Sequence, residues 1–284
     1  MKFADGFWLN KRGYEVNYAS QAYEIQVGKN YINVLATTNY IQNRGMTLGG
    51  PVFEITFAST QKDVIKVTID HYKGTLDNMP KFELNEDQGF VPEVVEGPDY
   101  WELISGGTKV RIGKFGWNVQ YYYKDKKLTG GAWRATTIVN ENQFRVSSRL
   151  AHTQDETFWS YPQDERSTYL REQLTLSVGE NIYGFGEKFT TFVKNGQNVE
   201  TWNSDGGTCS DQSYKCIPFY VSSRGYGVFV NSSDKVSYEV VDVDIYGKDT
   251  TVYENIVEHF RANLYLGFSS KFLFNISPIE VKSS

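Results

Sequence analysis

The sequence predicts an all-β protein built as a large antiparallel β-sandwich. Apolar and polar residues alternate with period two in many short stretches, turn-forming residues punctuate those stretches, and helical spacing is nearly absent. Tyr31 to Thr37 is the first clear strand. Phe53, Ile55 and Phe57 alternate with Glu54 and Thr56, and Ile65, Val67 and Ile69 alternate with Lys66, Thr68 and Asp70, so both segments read as strands buried on one face. Residues 74 to 99 are polar, carry three of the seven prolines, and read as an irregular loop bridging two groups of strands. Further strands are expected at Tyr100 to Ser105, Lys109 to Ile112, Trp117 to Tyr123, Gln143 to Arg149, Leu170 to Ser177, Gly227 to Asn231 and Val236 to Val243. Turns are expected at Ser105-Gly-Gly107, Lys124-Asp-Lys-Lys127, Val178-Gly-Glu-Asn181 and Ser222-Ser-Arg-Gly225. One helical pattern comes late, at Tyr253, Ile256, Val257, Phe260 and Leu264, and reads as a helix or a tail.

The 284 residues and 40% hydrophobic content suffice for one large β domain with a sizeable core. A net charge of −5 offers no basic field for phosphate backbones or anionic lipid, so neither nucleic acid nor membrane is expected as a partner. No apolar run approaches the length of a membrane span, and Met1 to Trp8 lacks the apolar centre of a secretion signal, so a cytoplasmic address is expected. In that setting Cys209 and Cys216 are expected to be unpaired thiols, and the glycosylation sequons at Asn231 and Asn275 to be chance matches. Twenty Tyr, eighteen Phe and six Trp suit the faces of antiparallel sheets and also the stacking of sugar rings; packing is the commoner use of such side chains.

His71, His152 and His259 are scattered, with no second ligand at metal spacing, so no metal or other cofactor is expected. No Gly-x-Ser-x-Gly elbow is present and neither cysteine has an evident histidine partner, so no residue is assigned a catalytic role. Tyr183-Gly-Phe-Gly-Glu-Lys188 lacks the third glycine of a dinucleotide fingerprint. Its glycines are expected to adopt positive φ and bend the chain, with Glu187 or Lys188 facing a polar contact. Thr201-Trp-Asn-Ser-Asp-Gly-Gly-Thr208 gathers an indole, an amide, a carboxylate and two glycines in one surface loop, the mixture sugar recognition needs, though Asn, Asp and Gly are also ordinary turn formers.

Taken in order, Tyr183-Gly-Phe-Gly-Glu-Lys-Phe-Thr190, Asn195-Gly-Gln197, Val199-Glu-Thr-Trp-Asn-Ser-Asp-Gly-Gly-Thr208, Tyr214-Lys215, Ile217-Pro-Phe-Tyr220 and Arg224-Gly-Tyr-Gly-Val228 resemble the N-terminal β-sandwich of glycoside hydrolase family 31, above all bacterial α-xylosidases. Weaker similarity starts at Asp5-Gly-Phe-Trp8 and continues through Pro51-Val-Phe-Glu54 and Glu172-Gln-Leu-Thr-Leu-Ser-Val-Gly-Glu180. The resemblance implies a galactose-mutarotase-like supersandwich over residues 1–240, followed by a divergent tail over 241–284. It also implies that a retaining pair of acids resides in a (β/α)₈ barrel of roughly 250 residues, for which this sequence has no room. By the same resemblance Asp205 hydrogen-bonds sugar hydroxyls near the leaving-group side, while Trp202 and Asn203 shape the loop.

The sequence therefore reads as a non-catalytic domain or truncated fragment of an α-xylosidase-like glycosidase, inactive alone, whose ligand is an α-xyloside or α-glucoside oligosaccharide. A frameshifted or prematurely terminated gene and a deliberately shortened chain both account for the ending. The surface that would face the barrel is then expected to be exposed and to drive self-association. A free-standing carbohydrate-binding module is the alternative, carried by the Trp202 to Thr208 loop and the aromatic excess. A mutarotase-like isomerase ranks behind it, because that chemistry needs a placed acid/base pair and the histidines are scattered.

Overall fold

The computed structural model describes residues 4–5, 9–11, 13–71, 82–87, 89–131, 134–141, 168–204, 212–241, 260–267 and 271–278. A small ladder of β1 (Ala4–Asp5) and β2 (Leu9–Asn10) precedes β3 (Tyr14–Tyr18). Next come β4 (Gln21–Val27), β5 (Tyr31–Thr37), β6 (Val52–Ala58) and β7 (Ile65–Asp70), then β8 (Glu93–Glu96), β9 (Tyr100–Ser105), β10 (Thr108–Gly113), β11 (Val119–Tyr123) and β12 (Lys126–Gly131). The second half supplies β13 (Thr137–Glu141), β14 (Thr168–Leu176), β15 (Ile182–Gly186), β16 (Gln197–Thr201), β17 (Cys216–Ser222), β18 (Tyr226–Val230) and β19 (Val236–Val241). Two last strands, β20 (Phe260–Gly267) and β21 (Lys271–Pro278), follow.

Three sheets carry the architecture. The largest runs β15-β17-β18-β21-β7-β6-β5-β4, the second β16-β19-β20-β14-β13-β3, and the third is the meander β12-β11-β10-β9-β8. Among the described residues every strand ladder is antiparallel, which short hairpin connections permit and βαβ crossovers would not. One 3₁₀ turn, Arg44–Leu48, is the only helical segment among them, and no helix there is long and apolar enough to cross a membrane.

The alternation read in the sequence sets the register. Val34 pairs with Ile55 and Ile55 with Ile69, while Ile32 pairs with Phe57 and Phe57 with Val67, so the apolar sets of β5, β6 and β7 form continuous cross-strand rows. All six are essentially inaccessible to solvent, and each such side chain contributes about 1.5–3 kcal/mol on burial. They belong to one core with Leu103, Val110 and Ile112 of the third sheet and Leu170, Leu174, Val199 and Val240 of the second. Phe185 and Tyr220 of the largest sheet meet Tyr238 of β19, with ring centroids 4.5 Å and 6.4 Å from it, and so join the two larger sheets near one end.

Three expectations are corrected. Of the irregular loop expected at 74–99, residues 74–81 and 88 lie outside the described residues, and Glu93–Glu96 is the edge strand β8, paired with β9; Glu-Val-Val-Glu is too short to show alternation. Phe260 and Leu264, read at helical spacing, lie in β20 between β14 and β19, because pairing with two neighbours outweighs a weak local pattern. Residues 253–259 of that pattern, and the strand expected at Gln143 to Arg149, lie outside the described residues. Finally, β11 starts at Val119 and not at Trp117, whose indole is spent on Thr136 Oγ1 at 3.0 Å.

Candidate functional site

The segment singled out in the sequence bends as its glycines require. Gly184, Phe185 and Gly186 take φ values of +116°, +68° and +81° in succession at the end of β15. Opposite them β17 carries extra residues, since Gly184 pairs with Tyr220 and Gly186 with Cys216. This bulge accommodates Pro218, which has no N–H to give a ladder. A left-handed Phe185 costs about 1–2 kcal/mol, and its complete burial against Tyr238 and Tyr220 offsets that by about 1.5–3 kcal/mol.

The bend delivers Lys188 to the neighbouring loop. Its ammonium donates to Glu200 O at 2.6 Å and to Cys216 Sγ at 3.0 Å. Cys216, a free thiol, donates from Sγ to Trp202 O at 3.2 Å, and its backbone N–H donates to Asn203 Oδ1 at 2.9 Å. Ser204 N donates to Ser213 O at 3.0 Å, and Asn203 bridges to Ser213. The two stems of the 201–216 loop are thereby fastened side by side. A second clamp lies behind: Asn195 accepts from Ile182 N at 2.9 Å and donates to Glu180 O at 2.8 Å. Lys194 is buried beside it, donating to Thr190 Oγ1 and Thr191 O, and desolvation first, then the charge of Lys188, lowers its pKa.

The sequence-chosen residues separate here. Trp202 is 51% exposed and Asn203 is held by Cys216, so these two stand at one place on the surface. Asp205 lies outside the described residues, directly after the fastened Ser204. Cys209 also lies outside them. His71 turns Nδ1 to Val52 O at 3.2 Å and its ring to Phe53; His152 and His259 lie outside the described residues. The sequon at Asn231 is occupied structurally, its side chain 8% exposed and accepting from Phe82 N at 2.9 Å.

A cleft of about 300 Å³ adjoins the loop, lined in part by Phe82, Trp202, Asn203, Cys216, Pro218 and Asp234. Sequence reasoning missed Asp234 and Phe82. Asp234 follows a serine pair in a turn before β19, and Phe82 comes from more than a hundred residues away, so only the fold brings them together. Burial raises the Asp234 carboxyl above the usual range.

Comparison with known proteins bears on this arrangement. Residues 53–239 match the family model described as the glycosyl hydrolase 31 N-terminal galactose mutarotase-like domain. The chain is 38% identical over 242 residues to the α-xylosidase XylQ of Lactiplantibacillus pentosus, covering 84% of this chain and 29% of that protein. It is 37% identical over 248 residues to an α-xylosidase of Emericella nidulans, covering 84% and 30%. The chain thus spans less than a third of the length of either relative. Among solved structures, a GH31 dextranase of Flavobacterium johnsoniae complexed with glucose superposes with a TM-score of 0.61 at 18% identity, covering 92% of this chain and 26% of that one. A GH31 α-xylosidase from a soil metagenome complexed with xylose gives 0.55 at 11% identity, covering 91% and 32%. At these identities the likeness speaks to the fold.

Proposed function

The chain belongs to the glycosyl hydrolase 31 N-terminal galactose mutarotase-like domain family, and from that premise we propose that it serves an α-xylosidase-like glycosidase as one wall of the substrate cleft. In this reading the acids that cleave the glycoside belong to a separate (β/α)₈ barrel, and the 201–208 loop presents Trp202, Asn203 and Asp205 to an α-xyloside or α-glucoside. The observation that carries it is the double fastening of that loop, through Lys188 and Cys216, at the end of a bulged strand. Stems fastened in this way hold the Trp202 and Asn203 groups in fixed positions, and a preorganised group loses less entropy on binding.

The purified chain is expected to show no turnover of an aryl α-xyloside, and measurable hydrolysis would overturn the reading. In a polypeptide that joins this domain to the barrel, Asp205→Asn is expected to raise KM for the α-xyloside about tenfold and to change kcat less, as loss of a charge-assisted hydrogen bond does. An unchanged KM would remove Asp205 from the substrate wall.

The same loops carry the surface proposed to meet a partner. Phe192, Tyr214, Ile217 and Trp202 are 79%, 56%, 53% and 51% exposed, all in the connections among β15, β16 and β17 or at the start of β17. The chain alone is expected to self-associate through them. Sedimentation velocity checks this: a dimer that grows with concentration and weakens in Phe192→Ser is expected, and a monomer at every concentration would count against it.

A further inference from the structure

We propose that the cleft beside Trp202 and Asn203 is a self-contained pocket for one neutral sugar unit, with Asp234 as the carboxylate that fixes it. The choice of a sugar rests on the glycosidase reading above; the pocket and its anchoring residue do not. At about 300 Å³ the cleft stands at the lower end of the range for small-ligand sites, a size for one ring and not for a chain.

Its chemistry selects the ligand. The Asp234 carboxylate has no ion-pair or hydrogen-bond partner among the described residues: its backbone N–H takes Ser232 Oγ at 3.2 Å, and the adjacent Lys235 reaches Glu200 instead at 2.5 Å. Burial already disfavours the charge there, and a donor from a ligand would relieve the cost. Asn203 complements it. Cys216 N occupies its Oδ1, which orients the amide and leaves both Nδ2 hydrogens without a partner among the described residues. Trp202 and Phe82, 51% and 43% exposed, supply apolar faces in the same pocket.

A carboxylate seeking donors, an amide offering them and two aromatic faces match a ring that is apolar on its C–H faces and both donor and acceptor at its hydroxyls. A simple cation would satisfy Asp234 and leave the amide unused. An anion finds no Lys, Arg or His among the described residues that line the cleft.

The test follows the indole Nε1–H resonance of Trp202, assigned through Trp202→Phe, in the 284-residue chain titrated with methyl α-D-xylopyranoside, methyl α-D-glucopyranoside and, separately, methylammonium chloride. A saturable shift with millimolar sugar is expected. Asp234→Asn and Asn203→Ala, each with an unchanged backbone amide spectrum elsewhere, are expected to weaken it about tenfold. Loss of the shift in Asp205→Asn with none in Asp234→Asn would overturn the pocket and leave the substrate-wall reading standing. A response to methylammonium alone would overturn the sugar, and no response to any probe would overturn the pocket. The substrate wall is judged separately by KM in the barrel-bearing protein.

Discussion

Replacing Glu172 by Gln is expected to stabilise the domain, and the gain is expected to grow as pH rises from about 5 to about 8. The cause is visible in β14, where Leu170, Glu172, Leu174 and Leu176 alternate inward and all are buried. Thr136 Oγ1 donates to Glu172 Oε2 at 2.6 Å, and Trp117 Nε1 donates to Thr136 Oγ1 at 3.0 Å. Desolvation outweighs both that hydrogen bond and the charge of Arg171, and pushes the carboxyl up to about 8 from an ordinary 4.5.

The sign follows from proton binding. Between those two values the folded chain holds a proton on Glu172 that the unfolded chain has released, so the stability contributed is complete below about pH 4.5 and is lost as pH rises towards about 8. The total is on the order of 5 kcal/mol. Gln keeps an acceptor for Thr136 and has nothing to titrate. Urea unfolding of both proteins across this range measures the difference directly, since every other titrating group cancels to first order. Parallel pH profiles would show that Glu172 ionises in the fold as it does in water.

Sequence patterning disclosed the sheets because most strands bury one face, and a buried face imposes period two. The rows through Val34, Ile55 and Ile69 are that pattern made solid. It failed where burial is two-sided or absent. In β14, Arg171, Glu172 and Gln173 are buried on both faces, so the strand could be read but the misplaced acid could not be distinguished from an outward one. In β8 the alternation is too short to register, and in β20 the partners that make the strand come from distant parts of the chain.

The aromatic excess illustrates the ambiguity of composition. Tyr100 and Tyr122 lie on the third sheet with the Arg111 guanidinium 4.0 Å and 5.2 Å from their ring centroids, so packing already occupies rings that could have stacked on sugar. The candidate site was half legible. Motif order located the loop, and the glycines announced the bend, but Asp234 and Phe82 join it only through tertiary structure.

Gly186→Ala is expected to cost about 3 kcal/mol or more, against about 1 kcal/mol for Gly179→Ala. Both glycines have positive φ, +81° and +71°, so the intrinsic penalty of a side chain there is shared. Their surroundings differ. A Cβ on Gly179 meets nothing within 4 Å, whereas one on Gly186 would lie 2.2 Å from Lys215 O, just before β17, and 2.7 Å from Ile217 N, the second residue of β17, both backbone atoms. Relief requires β17 to move away from β15, and Cys216 moves with it. That residue holds Asn203 through its N–H and Trp202 through its thiol, so the strain is delivered to the loop that carries the proposed site. Urea denaturation gives the stability difference, and hydrogen exchange at the Cys216 amide reads the loop, where protection is expected to fall more than at β5 or β6. Equal cost in the two variants would mean that the strands separate freely at the bulge, and the fastened loop would lose its structural basis.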